Sequence, residues 1–355
     1  MEWGIWLIKI KDFVQRICRT DGIFALQKNT LAMTTFDALN LSTPLRNALE
    51  DLGFTTPTPI QVAAFPVVAS GRDVVGIAQT GTGKTFAYLL PILRQLKFSK
   101  QKHPRVLVVV PTRELVVQVV QEAEKLCVYQ STRIKGAYGG VNMNTQRLEL
   151  EQGMDMLVAT PGRLVDLVLS RAIRLKTIKQ LVIDEVDEML NLGFRPQLLQ
   201  LFELLPQRRQ NILFSATLSP AVDQLIEGVF EQPERVEIAA SGSIAEGISQ
   251  HGYAVPNFHT KLHLLVWLLT TRTAWTKVLV FAPTKKVADH VEMALREALG
   301  ETQVGVIHSN KSQNYRLRSI GQFDAGQQRV LVATDLMARG LDFEGITQVI
   351  CLDTP

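Results

Sequence analysis

Residues 78–85, with the sequence AQTGTGKT, constrain the fold of this chain more than any other stretch. An apolar run at 74–77 precedes them, and a second apolar stretch begins at Phe86. A strand that passes through a glycine-bearing loop into a helix directs several backbone N–H groups, and the positive end of the helix dipole, at one point. Lys84 adds a positive charge there, and Thr85 adds a hydroxyl of the kind that coordinates Mg²⁺. The stretch therefore predicts a phosphate-binding loop, in a variant with alanine at position 78 where the general pattern has glycine.

The length of the chain, 355 residues, fits two domains, and a hydrophobic content of 46% is ample for two buried cores. The net charge of +4 is compatible with a nucleic-acid partner but is too common to argue for one. Cys18, Cys127 and Cys351 have spacings unlike a metal site or a disulfide framework. This pattern favours a reducing compartment, so we expect a cytoplasmic protein. No apolar run is long enough to predict a membrane span.

Beyond the phosphate loop, short apolar runs alternate with longer helical patterns. Four of these runs, at 106–110, 156–159, 181–183 and 211–214, are largely apolar and do not alternate with polar residues, which predicts a parallel sheet covered on both faces. In such a sheet the ligand crevice lies outside the carboxyl ends of the strands. The polar clusters that follow the runs should therefore face the nucleotide side: Pro111-Thr112-Arg113-Glu114, Thr160-Pro161-Gly162-Arg163, Asp184-Glu185-Val186-Asp187 and Ser215-Ala216-Thr217.

A second alternating series, with apolar runs at 278–281, 304–307, 330–333 and 349–352, has no phosphate loop of its own. Between the two series, residues 238–247 are small, Gly/Ser-containing and aperiodic, which predicts a linker. We therefore expect a nucleotide-binding domain at 33–237 and a second domain at 248–355. Residues 1–32 lack a clear amphipathic period, and we expect a tail or a mis-called extension there.

Asp184 ends an apolar run well downstream of Lys84, which is where a carboxylate holds Mg²⁺ opposite the hydroxyl of a phosphate loop. Glu185 beside it is placed to orient or deprotonate an attacking water. Phosphoryl transfer needs mainly position and charge from the protein, so Lys84, Thr85, Asp184 and Glu185 suffice for a hypothesis of hydrolysis.

Phe54 and Gln61 flank a stretch in which Pro57 and Pro59 fix an extended approach to a helix. A ring and an amide on such a stiff segment could stack on a nucleobase and bind its edge. A core phenylalanine with a solvated glutamine fits these two residues equally well.

In their order and spacing, these motifs resemble those of the DEAD-box ATP-dependent RNA helicases of superfamily 2, over residues 36–355. The resemblance implies two tandem RecA-like α/β domains with parallel sheets, the second incomplete, with ATP and Mg²⁺ as cofactors. It also implies that ATP bridging the domains closes them on one RNA strand, bends it and separates a few base pairs. RNA would be held mainly through its backbone, and we expect a monomer that does not bind membranes.

The resemblance assigns roles residue by residue. Nucleotide binding falls to Phe36, Phe54, Pro59, Gln61, Ala78, Gln79, Thr80, Gly81, Thr82, Gly83, Lys84, Thr85, Gly340 and Asp342. Catalysis falls to Lys84, Asp184, Glu185 and Asp187, with Ser215 and Thr217 linking hydrolysis to strand separation. Mg²⁺ would be held by Thr85 and, through water, by Asp184. RNA binding falls to Pro111, Thr112, Arg113, Gly139, Gly140, Thr160, Pro161, Gly162, Arg163, Thr284, Gln313, Arg316 and Thr334.

The chain departs from the family pattern in two places. Val186 stands where the family name has alanine, and we expect its side chain to point into the fold and require only a packing adjustment. The sequence given ends at Pro355, just before the position of the family's His-Arg-x-Gly-Arg-x-Gly-Arg motif, which supplies arginine fingers. On that basis we expect this chain to bind nucleotide and hydrolyse it poorly.

Two other functions stay open at this stage. A non-catalytic RNA clamp or annealing protein would use ATP only to switch between open and closed states. A DNA helicase of the same superfamily is disfavoured by the Gln61 segment and the Asp184 tetrapeptide. Among the histidines, only His308, at a strand tip within a family motif, is a candidate for a functional role. Arg316 taken alone fits a surface ion pair better than a phosphate contact.

Overall fold

The computed structural model describes residues 35–79, 81–238, 249, 251–334, 343 and 345–353. Residues from Thr35 onward belong to one compact unit. The N-terminal extension and residues 239–247 of the predicted linker lie outside the described residues, so the domain boundaries remain predictions.

The described residues of the first series form a seven-stranded parallel sheet in the order β3-β4-β2-β5-β6-β1-β7. Its strands are β1 (Val74–Ile77), β2 (Val106–Val109), β3 (Ile134–Ala137), β4 (Met156–Ala159), β5 (Gln180–Ile183), β6 (Gln210–Ser215) and β7 (Glu234–Glu237). Its helices are α1 (Thr43–Asp51), α2 (Pro59–Ala69), α3 (Lys84–Gln95), α4 (Arg113–Leu126), α5 (Met143–Glu151), α6 (Pro161–Leu169), α7 (Val186–Asn191), α8 (Arg195–Leu204) and α9 (Pro220–Val229).

In the second series, the described strands form a four-stranded parallel sheet in the order β11-β8-β10-β9. These strands are β8 (Val278–Ala282), β9 (Val304–Ile307), β10 (Val330–Thr334) and β11 (Gln348–Cys351). The accompanying helices are α10 (Phe258–Thr271), α11 (Lys285–Leu299) and α12 (Gln313–Asp324). The predicted class, two parallel-sheet α/β domains in tandem, is confirmed.

The central strands of the first sheet are buried on both faces, as their unbroken apolar sequences predict. Along β2, Val106 and Val108 pack into one core, while Leu107 and Val109 pack into the core on the opposite face. Helices on each face supply the rest of these cores. The sheet is therefore a rigid layer whose carboxyl edge is the natural place for a site.

The edge strands β3 and β7 are the two that the sequence analysis missed. Their sequences, IKGA and ERVE, lack the unbroken apolar run of the central strands, as fits strands that pair on one side only. A search for apolar runs cannot detect a strand of this kind.

Candidate functional site

The carboxyl edge of the first sheet divides into two halves. Strands β5, β6 and β1 are neighbours, so the phosphate loop and Asp184 follow strands that are two strand spacings, roughly 10 Å, apart. Ser215 ends the strand between them, and its carbonyl accepts the Ala78 N–H at 3.1 Å. Strands β2 and β4, in the other half, end in the clusters that begin at Pro111 and Thr160. The predicted nucleotide and RNA residues therefore lie at adjacent parts of one edge.

The phosphate loop turns from β1 into α3 through two glycines in the left-handed region, Gly81 at φ 79° and Gly83 at φ 84°. Helix α3 begins at Lys84, which is buried, and its Nζ has no hydrogen-bond partner among the described residues. A buried ammonium without a partner is costly unless an anion is bound to it. A phosphate group at the start of α3 would supply that anion, so this loop fits its predicted ligand.

Gln61 supports the phosphate loop from behind. Its Oε1 accepts the Thr58 backbone N–H at 2.9 Å, and its Nε2 donates to the Gly83 carbonyl at 3.2 Å. A Cβ at Gly83 would overlap the Gln61 amide, so glycine is required there by contact as well as by φ. One amide thus joins the start of α2 to the phosphate loop.

Phe54 is exposed and Gln61 is buried, which is the reverse of a core phenylalanine with a solvated glutamine. Phe54 is 43% exposed and stacks edge-on against Phe86 with ring centroids 5.2 Å apart, whereas Gln61 is only 5% exposed. A core phenylalanine with a solvated glutamine is therefore wrong. Phe36 is buried and Pro59 is exposed at the start of α2.

Asp184 follows β5 and is buried, with its Oδ1 accepting the Glu185 N–H at 2.9 Å. Burial raises the pKa of this carboxyl above its usual range, and the nearby positive charge of Lys84 opposes that rise. The Asp184 carboxylate and the half-buried Thr85 provide the oxygen ligands that Mg²⁺ prefers. The donor set thus fits the predicted metal.

Glu185 adopts a left-handed backbone conformation at φ 54°, which is uncommon for a residue with a side chain. Burial, and secondarily the charge of Asp184, raises the pKa of Glu185 to about 7. Such a carboxyl is poised to exchange a proton near neutral pH. Strain and a shifted pKa together are typical of a functional position.

Asp187 joins this cluster to the end of β6. Its Oδ2 accepts the Thr217 hydroxyl at 2.9 Å and the Thr217 N–H at 3.1 Å, while the Ser215 hydroxyl donates to the Thr217 carbonyl at 2.7 Å. Val186 between the carboxylates is fully buried in the core, so the prediction that it points into the fold is confirmed.

An open cleft of about 1200 Å³ is lined by residues of both sheets' domains. Of the predicted RNA residues, it contains Pro111, Thr112, Arg113, Gly139, Gly140, Thr160, Gly162, Arg163, Thr284, Gln313, Arg316 and Thr334. Pro161 is buried beside them at the start of α6. The structure therefore brings together side chains that lie more than 200 residues apart in the sequence. Their contact with RNA remains a prediction.

A buried polar cluster links α4 of the first series to α12 of the second. Glu114 forms an ion pair with Arg316 at 2.9 Å and accepts a hydrogen bond from Gln313 at 3.2 Å. Arg113 donates to the Gln313 Oε1 at 3.3 Å, and Arg316 donates to the same oxygen. The pair at Arg316 is buried, so the interpretation as a surface ion pair is wrong.

Arg163 is held in the first domain by the segment that follows β3. It donates to the Gln146 Oε1 at 2.7 Å and to the Val141 carbonyl at 3.1 Å. Thr284 accepts the Val287 N–H at 3.2 Å and so caps α11. Both residues line the cleft from fixed positions.

Several lining residues were not predicted. Glu114 was named in a motif without a role, although it makes the ion pair between the two domains. Others are Asp166, Leu192, Phe194, Lys285, Lys286, Ser309, Lys311 and Ser312. No sequence pattern marks them, because they reach the cleft only through the packing of the two domains. Thr80, Gly340 and Asp342 lie outside the described residues.

Two family models match the chain: "DEAD/DEAH box helicase" over residues 58–225 and "Helicase conserved C-terminal domain" over residues 260–355. Similar proteins include DEAD-box ATP-dependent RNA helicase 24 of Arabidopsis thaliana, 36% identical over 90% of this chain and 42% of that protein. Probable ATP-dependent RNA helicase DDX43 of Homo sapiens is also 36% identical, over 90% of this chain and 50% of that protein. The chain thus spans half or less of the length of these relatives.

Among solved structures, S. cerevisiae Dbp5 bound to RNA and ADP BeF3 is similar, with a TM-score of 0.81 and 27% identity over 91% of this chain and 81% of that one. A point variant of the same Dbp5, bound to a variant of Gle1 and to IP6, has a TM-score of 0.73 and 26% identity over the same shares of the two chains. In the part of the chain that the structure describes, no helix has the length and apolar character needed to cross a membrane.

Proposed function

The chain belongs to the DEAD/DEAH box helicase family, and on that premise we propose that it is an ATP-dependent RNA helicase. In this proposal it binds ATP with Mg²⁺, holds RNA by its backbone, and separates short RNA duplexes as its two domains close. ATP hydrolysis drives the cycle. The activity is proposed for the whole protein, to which this chain contributes the phosphate loop, the carboxylate cluster and the cleft.

The phosphate loop would bind the triphosphate. The buried ammonium of Lys84 has no hydrogen-bond partner among the described residues, and α3 begins at this residue with its first N–H groups free for a phosphate. Phe54 is exposed beside Phe86, near the start of α3, and would pack on the base. Gln61 would keep the loop in its binding geometry through Gly83.

Thr85 and Asp184 would hold Mg²⁺, which when bound neutralises charge on the phosphates. The Asp184 carboxylate is already oriented by the Glu185 N–H. Because burial raises the pKa of this carboxyl, a bound cation is also what favours its ionised form.

Glu185 would act as the general base that removes a proton from the attacking water. Its pKa of about 7 means that a substantial fraction is ionised at neutral pH and that the group is a stronger base than an ordinary carboxylate. Asp187 would keep the turn in place through its two bonds to Thr217. Proton transfer is thus assigned to Glu185, and the position of the turn that carries it to Asp187.

The cleft would hold single-stranded RNA. Arg113, Arg163 and Lys311 place positive charges on the walls of the cleft. The N-terminal ends of α6 and α11 add backbone N–H donors. Contacts of this type position a strand without recognising its sequence.

The observation that carries the proposal is the buried Nζ of Lys84, which has no hydrogen-bond partner among the described residues and lies at the same sheet edge as Asp184 and Glu185. A buried ammonium near two carboxyls whose pKa values burial raises is typical of a functional site.

The test is ATP turnover by the chain with and without single-stranded RNA, together with displacement of a short RNA duplex. K84A should abolish ATP binding, whereas E185Q should retain ATP and RNA binding and lose turnover. ATP and RNA binding without any turnover in the whole protein would favour the clamp function. ATP affinity that is unchanged in K84A would overturn the proposal.

A further inference from the structure

His308 is a buried histidine at the carboxyl end of β9, on the cleft side of the second sheet, and its side chain is only 2% exposed. Its Nε2 lies 2.9 Å from the Asp289 Oδ1, and its Nδ1 lies 3.3 Å from the Asn310 backbone nitrogen. Since the Asn310 N–H donates to Nδ1, this nitrogen is an acceptor and the ring proton is on Nε2, which donates to Asp289. The histidine therefore joins α11 to the turn that follows β9.

Asp289 holds a second group of that turn. The same Oδ1 accepts a hydrogen bond from Lys311 Nζ at 2.9 Å. Burial by itself would raise the pKa of Asp289, but the hydrogen bonds from His308 and Lys311 outweigh burial and lower it. Glu292, one turn further along α11, lies 3.5 Å from the same ammonium. Asp289 thus pairs with Lys311 and contacts His308 through the same carboxylate oxygen.

The turn formed by residues 308–312 is one wall of the cleft. Ser309, Lys311 and Ser312 all line it. The Lys311 N–H closes the turn on the His308 carbonyl at 3.0 Å, and Ser312 caps α12 by accepting the Tyr315 N–H at 3.3 Å. The position of this wall therefore depends on the contacts that His308 makes at its first residue.

We propose that His308 is a positioning residue for RNA, which fixes the turn at 309–312 so that Lys311 and the serine hydroxyls meet a phosphate of the RNA backbone. The inference rests on the proposed function, because it assigns a role within the RNA cleft. His308 does not touch RNA in this scheme; it acts through Asp289 and the Asn310 N–H. Without it, the turn loses two of its fixed points, and Lys311 must be ordered at the moment of binding.

The experiment measures the affinity of the 355-residue chain for a fluorescent single-stranded oligo-uridine in the presence of ADP and beryllium fluoride. The KM values for RNA and ATP and the kcat at saturating RNA are measured in parallel. H308A should weaken RNA binding about tenfold, which corresponds to about 1.4 kcal/mol. The KM for ATP and the kcat should be unchanged, a split that a general loss of packing would not produce. H308Q, whose amide can still donate to Asp289, should recover most of the affinity.

Two further variants keep the test decisive. D289N replaces a half-exposed carboxylate, so it should fold normally, and its loss of RNA affinity should not add to that of H308A. H290N is the matched control, because His290 is an exposed neighbour on the same helix and does not line the cleft. Its RNA affinity should equal that of the unmodified chain.

Unchanged RNA affinity in D289N and H308Q, together with unchanged affinity in a folded H308A, would overturn the inference and leave the proposed function intact. A parallel rise in the KM values for RNA and ATP would also overturn it, since His308 would then be a packing residue. Failure of the unmodified chain to bind RNA would overturn both the proposed function and the role of His308.

Discussion

The ion pair between Glu114 and Arg316 makes a quantitative prediction about closure of the two domains. The side chains are 5% and 8% exposed and lie 2.9 Å apart, so each neutralises a charge that is out of reach of water. Removing one partner of such a pair costs about 3–5 kcal/mol, because the other charge stays buried without compensation. The two residues belong to different domains, however, and separation of the domains would hydrate the remaining charge.

Loss of one partner should therefore shift the equilibrium of the two domains toward the separated, open state, and it should reduce the free energy of unfolding only slightly. A shift of about 3 kcal/mol corresponds to roughly a hundredfold change in the population of the closed state. We expect E114Q and R316Q each to weaken RNA binding by about 10- to 100-fold when ADP and beryllium fluoride are saturating. The double variant should be little worse than either single one, with a coupling energy of about 1–3 kcal/mol.

The assay is a double-mutant cycle on RNA affinity by fluorescence anisotropy, with thermal unfolding measured on each variant. The matched control is the exposed pair of Arg72 and Glu234, which is as short, at 2.8 Å, but has side chains 61% and 48% exposed. Its cycle should give at most about 1 kcal/mol and no change in RNA affinity. Additive losses in E114Q and R316Q would refute the reasoning, because Arg316 would then act on RNA independently of Glu114.

The remaining predictions concern the phosphate loop and a buried carboxylate. G83A should raise the Kd for ATP at least about tenfold, because alanine disfavours the left-handed backbone at this position and its Cβ would overlap Gln61. G81A carries the same backbone penalty without an overlap, so its increase in Kd should be smaller in the same titration. D155N should destabilise the fold by about 3 kcal/mol at pH 7, since Asp155 is fully buried between two arginines. Burial raises the pKa of Asp155, but the hydrogen bonds from the two arginines outweigh burial and lower it. The contribution of Asp155 to the free energy of unfolding is therefore present above about pH 4 and is lost as the pH falls through the folded-state pKa. Urea unfolding of D155N and the unmodified chain should therefore converge in acid.

Sequence reasoning succeeded where local chemistry determines structure. Helix α1 begins after Ser42 and is followed by Gly53 in the left-handed region, and both are residue types typical of helix boundaries. The phosphate loop was equally predictable, because glycine, lysine and the strand and helix that flank them are adjacent in the chain. The carboxyl ends of β2, β4, β5 and β6 followed from one property of parallel sheets, which is that all strands point the same way.

The features that sequence reasoning missed depend on contacts between distant segments. That Gln61 binds a base stays a prediction, while its bond to the distant Gly83 was not predicted. Glu114 follows the arginine to which RNA binding was assigned, and only the approach of α12 gives it a partner. Neither of these two contacts can be inferred from residue types, because each depends on how segments distant in the sequence approach each other.

The placement of Ser215 and Thr217 limits how hydrolysis can be linked to strand separation. Both residues bond within the nucleotide half of the sheet edge, where Ser215 accepts the Ala78 N–H and Thr217 donates to Asp187. Neither is among the residues that line the cleft. We therefore propose that any effect of Ser215 and Thr217 on RNA passes through the position of the sheet edge. Because the cluster around Glu114 lies at that edge and joins it to α12, we propose closure of the domains as the step that couples the two halves of the site.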